Sequence, residues 1–391
     1  MQINNYDLLI VGCGFVGSVA AHLAAREGKR VLIIERRNHI AGNMYDEVDK
    51  ETGITIQKYG PHSFRTDNDK VYDFITSVGE WYPFTLTARV EMLGKVTPSP
   101  FNFKTIDDYF PPEKAHNIKK HLAKAYRYAP KATILDMLNH SDPVIKEYAD
   151  FLFEYDYRPY TVKQWGIKPE ELDISVLSRV PVRFDYVDRY FDDRYQMMPE
   201  GGFTAFFEIL LKSPLIEIEL EKDALDLIKP DAQSGCMRIS GEKATIPILY
   251  TGALDELFDC RFGKLPYRSL WFDFKTYESD SFQEAPGVAH PAAEGYTRIT
   301  EYTKLPPQDG KGKTIVAYEY PAVYGSEKGK EAYYPLLTAQ SQSLYKQYSE
   351  LAAGIKNLYV AGRLADFKYY YMDGAVLRAL EVYEEIRQDL A

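Results

Sequence analysis

Three glycines at fixed spacing are the clearest chemical feature of this chain. Gly12, Gly14 and Gly17 separate the apolar run Tyr6–Val11 from the segment Ser18–Glu27. Read as strand, turn and helix, the first glycine allows a tight turn. The second admits close approach of a pyrophosphate, and the third lets helix close on strand. The helix N-terminus adds unpaired N–H groups and a favourable dipole for phosphate. Glu35 ends the next apolar run, Lys29–Ile34, 23 residues after Gly12. A carboxylate there can accept hydrogen bonds from a ribose diol. The first 35 residues therefore read as one β-α-β unit with a parallel strand pair, its helix closed by Gly28. The plain alternative is a strand-turn-helix that holds no ligand.

Two further segments favour FAD over NAD. Arg36-Arg37-Asn38-His39-Ile40-Ala41-Gly42-Asn43 follows the acidic residue, as in flavoproteins whose cofactor site continues there. Near the C-terminus, the strand Asn357-Leu-Tyr-Val-Ala361 runs into Gly362-Arg363, ending in glycine ahead of a helix. That final helix, begun by Asp373-Gly374, can aim its N-terminus at a flavin pyrimidine. Asp373 reads equally well as a simple N-cap. The cofactor-binding candidates are thus Gly12, Gly14, Gly17, Glu35, Arg36, Gly42, Asn43, Gly362 and Asp373. No second fingerprint for a nicotinamide donor is present, which argues against an ordinary oxidoreductase.

These residues need a scaffold of several layers. The 391 residues suffice for two or three domains, and 45% apolar with 27% charged residues is ordinary for a globular chain. Lys+Arg 47 against Asp+Glu 57 gives a net charge of −10, which argues against nucleic acid or an anionic membrane as partner. An anionic substrate then needs a locally basic site. Three widely spaced cysteines suggest neither a disulfide framework nor a metal motif; a reducing compartment, the cytoplasm, is expected. No signal peptide and no membrane span are expected. Asp142-Pro143 marks a helix start, followed by Val144, Ile145, Tyr148, Phe151, Leu152 and Tyr155 at helical spacing. Thr133 with Asp136 predicts a capping box, and Glu113–Tyr128 a weaker helix. Between about 178 and 345 the pattern is mostly short strands: Val180–Asp185, Ile216–Glu221, Tyr267–Phe274 and Lys313–Tyr320. They read as an antiparallel sheet interleaved with returns to the first domain. The 32 tyrosines suit polar pockets and interfaces.

Several stretches in order along the chain together resemble the UDP-galactopyranose mutase family. They include Lys58-Tyr-Gly-Pro-His62, Tyr160-Thr-Val-Lys-Gln-Trp-Gly166, Arg179-Val-Pro-Val-Arg183, Tyr190–Gln196, Tyr296-Thr-Arg298, Tyr333-Tyr-Pro335 and Gly362–Ala365. The resemblance implies an α/β architecture: a Rossmann-like FAD-binding domain, an inserted helical domain and an antiparallel β-sheet substrate domain. It places the first at 1–82 with about 200–262 and 346–391. The helical domain is 103–177 with a mobile loop near 160–173, and the sheet domain is 83–102, 178–199 and 263–345. It also implies a cytoplasmic homodimer that acts on a UDP-sugar for cell-wall or surface glycans, with FAD active when reduced by an unidentified external reductant. Reduced flavin N5 would attack the anomeric carbon and expel UDP; the sugar would open, reclose through another hydroxyl and regain UDP. Matched positions give Arg179 and Arg298 as diphosphate clamps, and Tyr190, Tyr334 and Tyr369 around the diphosphate and sugar. Tyr160 would stack on uracil, and Trp165 would lie on the closing loop with Lys163 and Gln164 as polar, flexible neighbours. Arg363 and His62 would sit near flavin and sugar. No metal is implied.

Two positions depart from the family pattern. Arg65 stands where a second histidine is common, as in members that accept UDP-N-acetylgalactosamine. Its fork of donors could reach an acyl oxygen on the sugar. Tyr371 stands where the family has Asp, with Asp373 two residues on. Two rival readings follow: an amine-oxidase-like flavin oxidoreductase, and a sugar-nucleotide binder without turnover.

Overall fold

The computed structural model describes residues 5–165, 180–231 and 233–390. A five-stranded parallel sheet forms around Leu8–Val11. Its spatial order is Ile216–Glu219, Val31–Ile34, Leu8–Val11, Ile248–Tyr250 and Leu358–Val360. In chain order that is third, second, first, fourth, fifth, the doubly wound arrangement of dinucleotide-binding sheets. The inner strands are short and apolar on both faces: one face lies under the helices Phe15–Arg26 and Met372–Arg387, the other against the small sheet of Ile228–Asp231 and Cys236–Ile239 and the helix Ala339–Ala353. Leu8, Leu9, Ile10, Val31, Leu32 and Ile33 have no solvent exposure. The helix Phe15–Arg26 packs against the final helix Met372–Arg387, the two running along one face.

A second sheet of seven strands lies apart from the first. Its order is Tyr334–Pro335, Tyr267–Tyr277, Thr314–Val323, Arg298–Glu301, Gly287–Ala289, Ala88–Met92 and Lys95–Ser99. It is antiparallel except where Gly287–Ala289 runs parallel to Ala88–Met92. Two expected strands are shorter than the sequence suggests. Val180–Asp185 reduces to Val182–Arg183, and Ile216–Glu221 to Ile216–Glu219, which is one of the returns to the parallel sheet.

Helices fill the region after Ser99. The Asp142 side chain accepts from the Val144 N–H, Pro143 takes the first helical position, and Thr133 with Asp136 forms its capping box. The apolar face of Pro143–Leu152 buries Ile145, Tyr148 and Leu152 as its spacing predicts. The expectation fails at Tyr155, which is 42% exposed. Residues Phe153–Tyr157 form a π-helical turn, which inserts a residue and rotates the inward face. Tyr157 takes the buried place instead, donating to the Val180 carbonyl at 2.7 Å. Of the loop expected near 160–173, residues 160–165 lie in helix Arg158–Trp165, and 166–173 lie outside the described residues. Among the described residues no helix is long and apolar enough to cross a membrane.

Asp46 ties the outer part of the first layer together. Helix Phe203–Leu210 follows Gly201 and Gly202, both with positive φ, so its cap position has no side chain. Asp46 caps it from 157 residues away, accepting from the N–H of Phe203 at 2.7 Å and of Thr204 at 2.9 Å. Asp46→Ala leaves two buried helix donors unpaired. It should lower the unfolding free energy of the apoprotein by about 1–3 kcal/mol, read from urea denaturation.

Candidate active site

The glycine turn opens at the crevice between the first and fourth strands. A Cβ on Gly12, which has φ +99°, would lie 2.2 Å from Thr251 Oγ1. Thr251, at the end of the neighbouring strand, donates to the Val11 carbonyl at 2.7 Å and fixes that crevice. A Cβ on Gly17 would fall 2.0 Å from the Gly12 carbonyl oxygen, so helix and turn touch through backbone alone. Gly14 differs: a Cβ there meets nothing within 4 Å, because it faces open space. That space is a groove lined by Gly12, Gly14, Glu35, Arg36, Gly42, Asn43, Lys222, Tyr250, Gly362 and Arg363. The Glu35 carboxylate accepts from the N–H of Cys13 at 2.8 Å and of Arg37 at 2.9 Å. A carboxylate has about four acceptor sites, so two remain for a ribose. Eight of the nine cofactor candidates line this groove. Asp373 does not; its carboxylate accepts from Thr66 Oγ1 at 3.4 Å, and Tyr371 holds the cap position it was given as an alternative. The groove has the extended shape, bare backbone and acidic ribose acceptor that a dinucleotide requires, and the residues present fit FAD.

The groove meets a second, larger cleft at Arg363, Tyr370, Tyr371 and Met372, which line both. This cleft holds about 580 Å³, within the range of small-molecule sites. The structure brings His62, Arg65, Tyr160, Tyr190, Arg298, Tyr334, Arg363 and Tyr369 to its wall. Arg179 lies outside the described residues. Trp165 ends the helix Arg158–Trp165.

Arg298 is the central cation. It sits opposite Glu319 in the ladder between Arg298–Glu301 and Thr314–Val323, and the two form an ion pair. Glu319 is 2% exposed while Arg298 remains one-third exposed. Burial opposes the guanidinium's charge, but Glu319 more than offsets it and Arg298 stays ionised. Tyr160 stands beside this pair, its phenol pushed up by burial and so a neutral donor. Tyr334 and Tyr369 stack at 5.2 Å, and Arg363 lies over Tyr334 while donating to the Tyr333 carbonyl at 3.0 Å. His62 is fixed through its backbone: Gln57 accepts from its N–H at 2.5 Å and donates to its carbonyl at 3.1 Å. Burial first, then Arg363 and Arg298, hold the imidazole down to about 3, so it is neutral. Its Nδ1 is buried with no partner among the described residues.

The two departures from the family pattern touch each other. The Arg65 guanidinium lies 4.1 Å from the Phe191 ring centre and 4.3 Å from that of Tyr371. It also pairs with Asp193 at 2.6 Å. Lys163 and Gln164, expected to be flexible, are held. Lys163 Nζ donates to the carbonyls of His290, Ala293 and Tyr296, and Arg268 donates to the Gln164 carbonyl at 2.6 Å. Glu319, Asp193, Gln57, Phe191 and Thr251 were not singled out from sequence. For Phe191 and Asp193 the signal lay in the segment Tyr190–Gln196; the others act across strands and through distant partners that no local pattern shows.

The fold and the site define a dinucleotide-binding α/β protein whose cofactor groove opens onto a nucleotide-sized cleft with a half-buried cation. The UDP-galactopyranose mutase model matches residues 156–369, and a NAD(P)-binding Rossmann-like model matches 10–78. A probable UDP-galactopyranose mutase of Klebsiella pneumoniae is 31% identical over 100% of this chain and 97% of its own. A dTDP-fucopyranose mutase of Escherichia coli is 33% identical over 96% of each. The crystal structure of a reduced UDP-galactopyranose mutase superposes with TM-score 0.71 over 98% of this chain and 96% of its own, at 16% identity. This chain belongs to the UDP-galactopyranose mutase family, which is a family of isomerases, and its fold and family imply a flavin cofactor.

The glycines separate two costs. Gly17→Ala forces a backbone clash and should destabilise the apoprotein by about 1–3 kcal/mol or more. Gly14→Ala should leave apoprotein stability within about 1 kcal/mol. It should weaken FAD binding at least about tenfold, because its methyl enters the groove. Thermal unfolding of apoprotein and flavin titration measure the two.

Proposed function

We infer that this chain interconverts the pyranose and furanose forms of UDP-galactose with FAD in its reduced state. The observation that carries the reading is the junction at Arg363–Met372, where the cofactor groove opens directly into a cleft that holds a half-buried arginine. Reduced flavin, when bound, supplies the nucleophile that displaces the nucleotide from the anomeric carbon. The chain's own task is to keep the departed diphosphate in place until it returns. Arg298, held charged by Glu319, offers charge-assisted donors to the diphosphate before and after it leaves. The stacked Tyr334 and Tyr369 present phenols along the same wall, and Arg179 is the matched second clamp. Tyr160 offers a flat face to the base, and Arg363 supports negative charge at the groove mouth. Neutral His62, with a free Nδ1, can hydrogen-bond a sugar hydroxyl without repelling a developing cation. Three free cysteines accord with a reducing compartment.

The Arg65–Tyr371 contact favours a second reading of the sugar. A stacked guanidinium and a phenol ring occupy the ground where the family pattern has histidine and aspartate. The same chemistry on UDP-N-acetylgalactosamine or another nucleotide sugar fits that wall. The relative named for dTDP-fucopyranose points to a sugar lacking the 6-hydroxyl.

Product analysis with dithionite tests the chemistry. Purified protein should convert UDP-galactofuranose or one of these analogues to the pyranose form only when its flavin is reduced. Arg298→Ala should lower kcat about 10²–10³-fold. Binding of UDP without turnover on any of these sugars overturns the reading.

The sugar preference is read separately. Because the two side chains touch, Arg65→His and Tyr371→Asp should not be additive. The double variant should differ from the sum of the singles by at least about 0.5 kcal/mol in relative kcat/KM between the galactose and acetamido substrates.

A further inference from the structure

Of the carboxyl groups lining the substrate cleft, Asp67, Asp192, Asp193 and Glu319 each hold a hydrogen-bond partner, and Asp156 is left over. Asp156 lies in the π-helical turn, one turn ahead of Tyr160, and contributes to the cleft wall with Tyr157, Tyr160 and Thr161. The inserted residue of that turn puts it there: Tyr157 takes the inward position that a regular helix would give to 155 or 156. Among the described residues Asp156 has neither a hydrogen bond nor an ion pair. Burial alone pushes its carboxyl up to about 7, and no neighbouring cation opposes that shift. A half-buried acid with no partner is costly, and π turns with such residues collect at ligand sites.

Its position limits what it can meet. The diphosphate belongs at Arg298, whose charge is matched by Glu319 and whose neighbour is Tyr160. An acid close to the diphosphate would repel it, and among the described residues no arginine or lysine pairs with Asp156 to cancel that repulsion. The ribose is bonded directly to the diphosphate. The part of a nucleoside diphosphate farthest from the phosphates is the Watson–Crick edge of the base. A carboxyl group there offers an acceptor oxygen and, when protonated, a donor. That pair complements the N3–H and adjacent carbonyl of uracil or thymine.

We propose that Asp156 is the specificity residue for the base, accepting the pyrimidine N3–H while the ring lies against Tyr160. This rests on the reading of the cleft as a UDP-sugar site. The test is calorimetric binding of UDP, N3-methyl-UDP and 2′-deoxy-UDP to the flavin-loaded protein and to two variants. Wild type should bind N3-methyl-UDP about tenfold more weakly than UDP, the worth of one buried hydrogen bond. Asp156→Ala should bind UDP and N3-methyl-UDP equally. Asp156→Asn, which keeps an acceptor and a donor, should restore most of the discrimination. Flavin content and unfolding temperature, unchanged in both variants, exclude a collapsed site. If wild type binds UDP but does not discriminate against the N3-methyl analogue, the assignment is overturned alone. The same holds if Asp156→Ala still discriminates, or if the variant instead loses discrimination against the 2′-deoxy analogue, which would make it a ribose ligand. Failure of wild type to bind UDP at all overturns the reading of the cleft and this assignment with it.

Discussion

A guanidinium held charged inside an acidic protein is the constraint from which the site follows. With a net charge of −10, general electrostatics would turn a diphosphate away. Arg298 therefore has to be local, partly desolvated and rigid. The ladder supplies this by placing Glu319 directly across from it, with Thr297 donating to the Glu319 carboxylate at 3.1 Å. Register holds the two backbones opposite each other, so the ion pair forms with no further ordering of the chain. Desolvation by the surrounding tyrosines, which would discharge a lone lysine, here raises the strength of every hydrogen bond the arginine can offer. Many other cations around the cleft are already committed. Arg65 pairs with Asp193, Arg89 with Asp188 through both nitrogens, and Arg183 with Asp185 and Asp192.

The helix leading into the cleft is positioned by two unrelated devices. At one end the π turn resets which side chains face inward. At the other, Lys163 spends its ammonium on three carbonyls of the segment 290–296, and Arg268 meets the Gln164 carbonyl. Three donors on one flexible side chain bind a loop that has no strand hydrogen bonds of its own at those carbonyls. The side of the cleft that carries Tyr160 is thereby referenced to the large sheet that carries Arg298. Two walls built from segments more than 130 residues apart keep a fixed separation.

Much of the first layer was legible in the sequence. The glycine turn could be read because its constraint is local: bare backbone where a Cβ would strike Thr251 or the Gly12 carbonyl. Caps at Thr133 and Asp142 are equally local. The helical region was legible in its apolar stripe up to Leu152 and lost at Tyr155, since a 3.6-residue period has no place for an inserted residue. Residues that act through distant partners were invisible for a different reason. Glu319 matters because of Arg298 across the ladder, and Gln57 because it holds a backbone. Neither of these sits in a spacing that sequence alone can decode. Asp373 shows the converse: a residue with the right type at a helix start faces Thr66 rather than the groove.

The order of the parallel sheet has a consequence for how the protein is made. Its central strand, Leu8–Val11, is made well before its neighbour Ile248–Tyr250, which comes some 240 residues later. The outer strand Leu358–Val360, Gly362 and the helix that covers Phe15–Arg26 come later still. At about 5–20 residues per second the apolar first unit waits on the order of half a minute for its partners. Cofactor capture has to wait for Gly362, 350 residues after Gly12, because both line the groove.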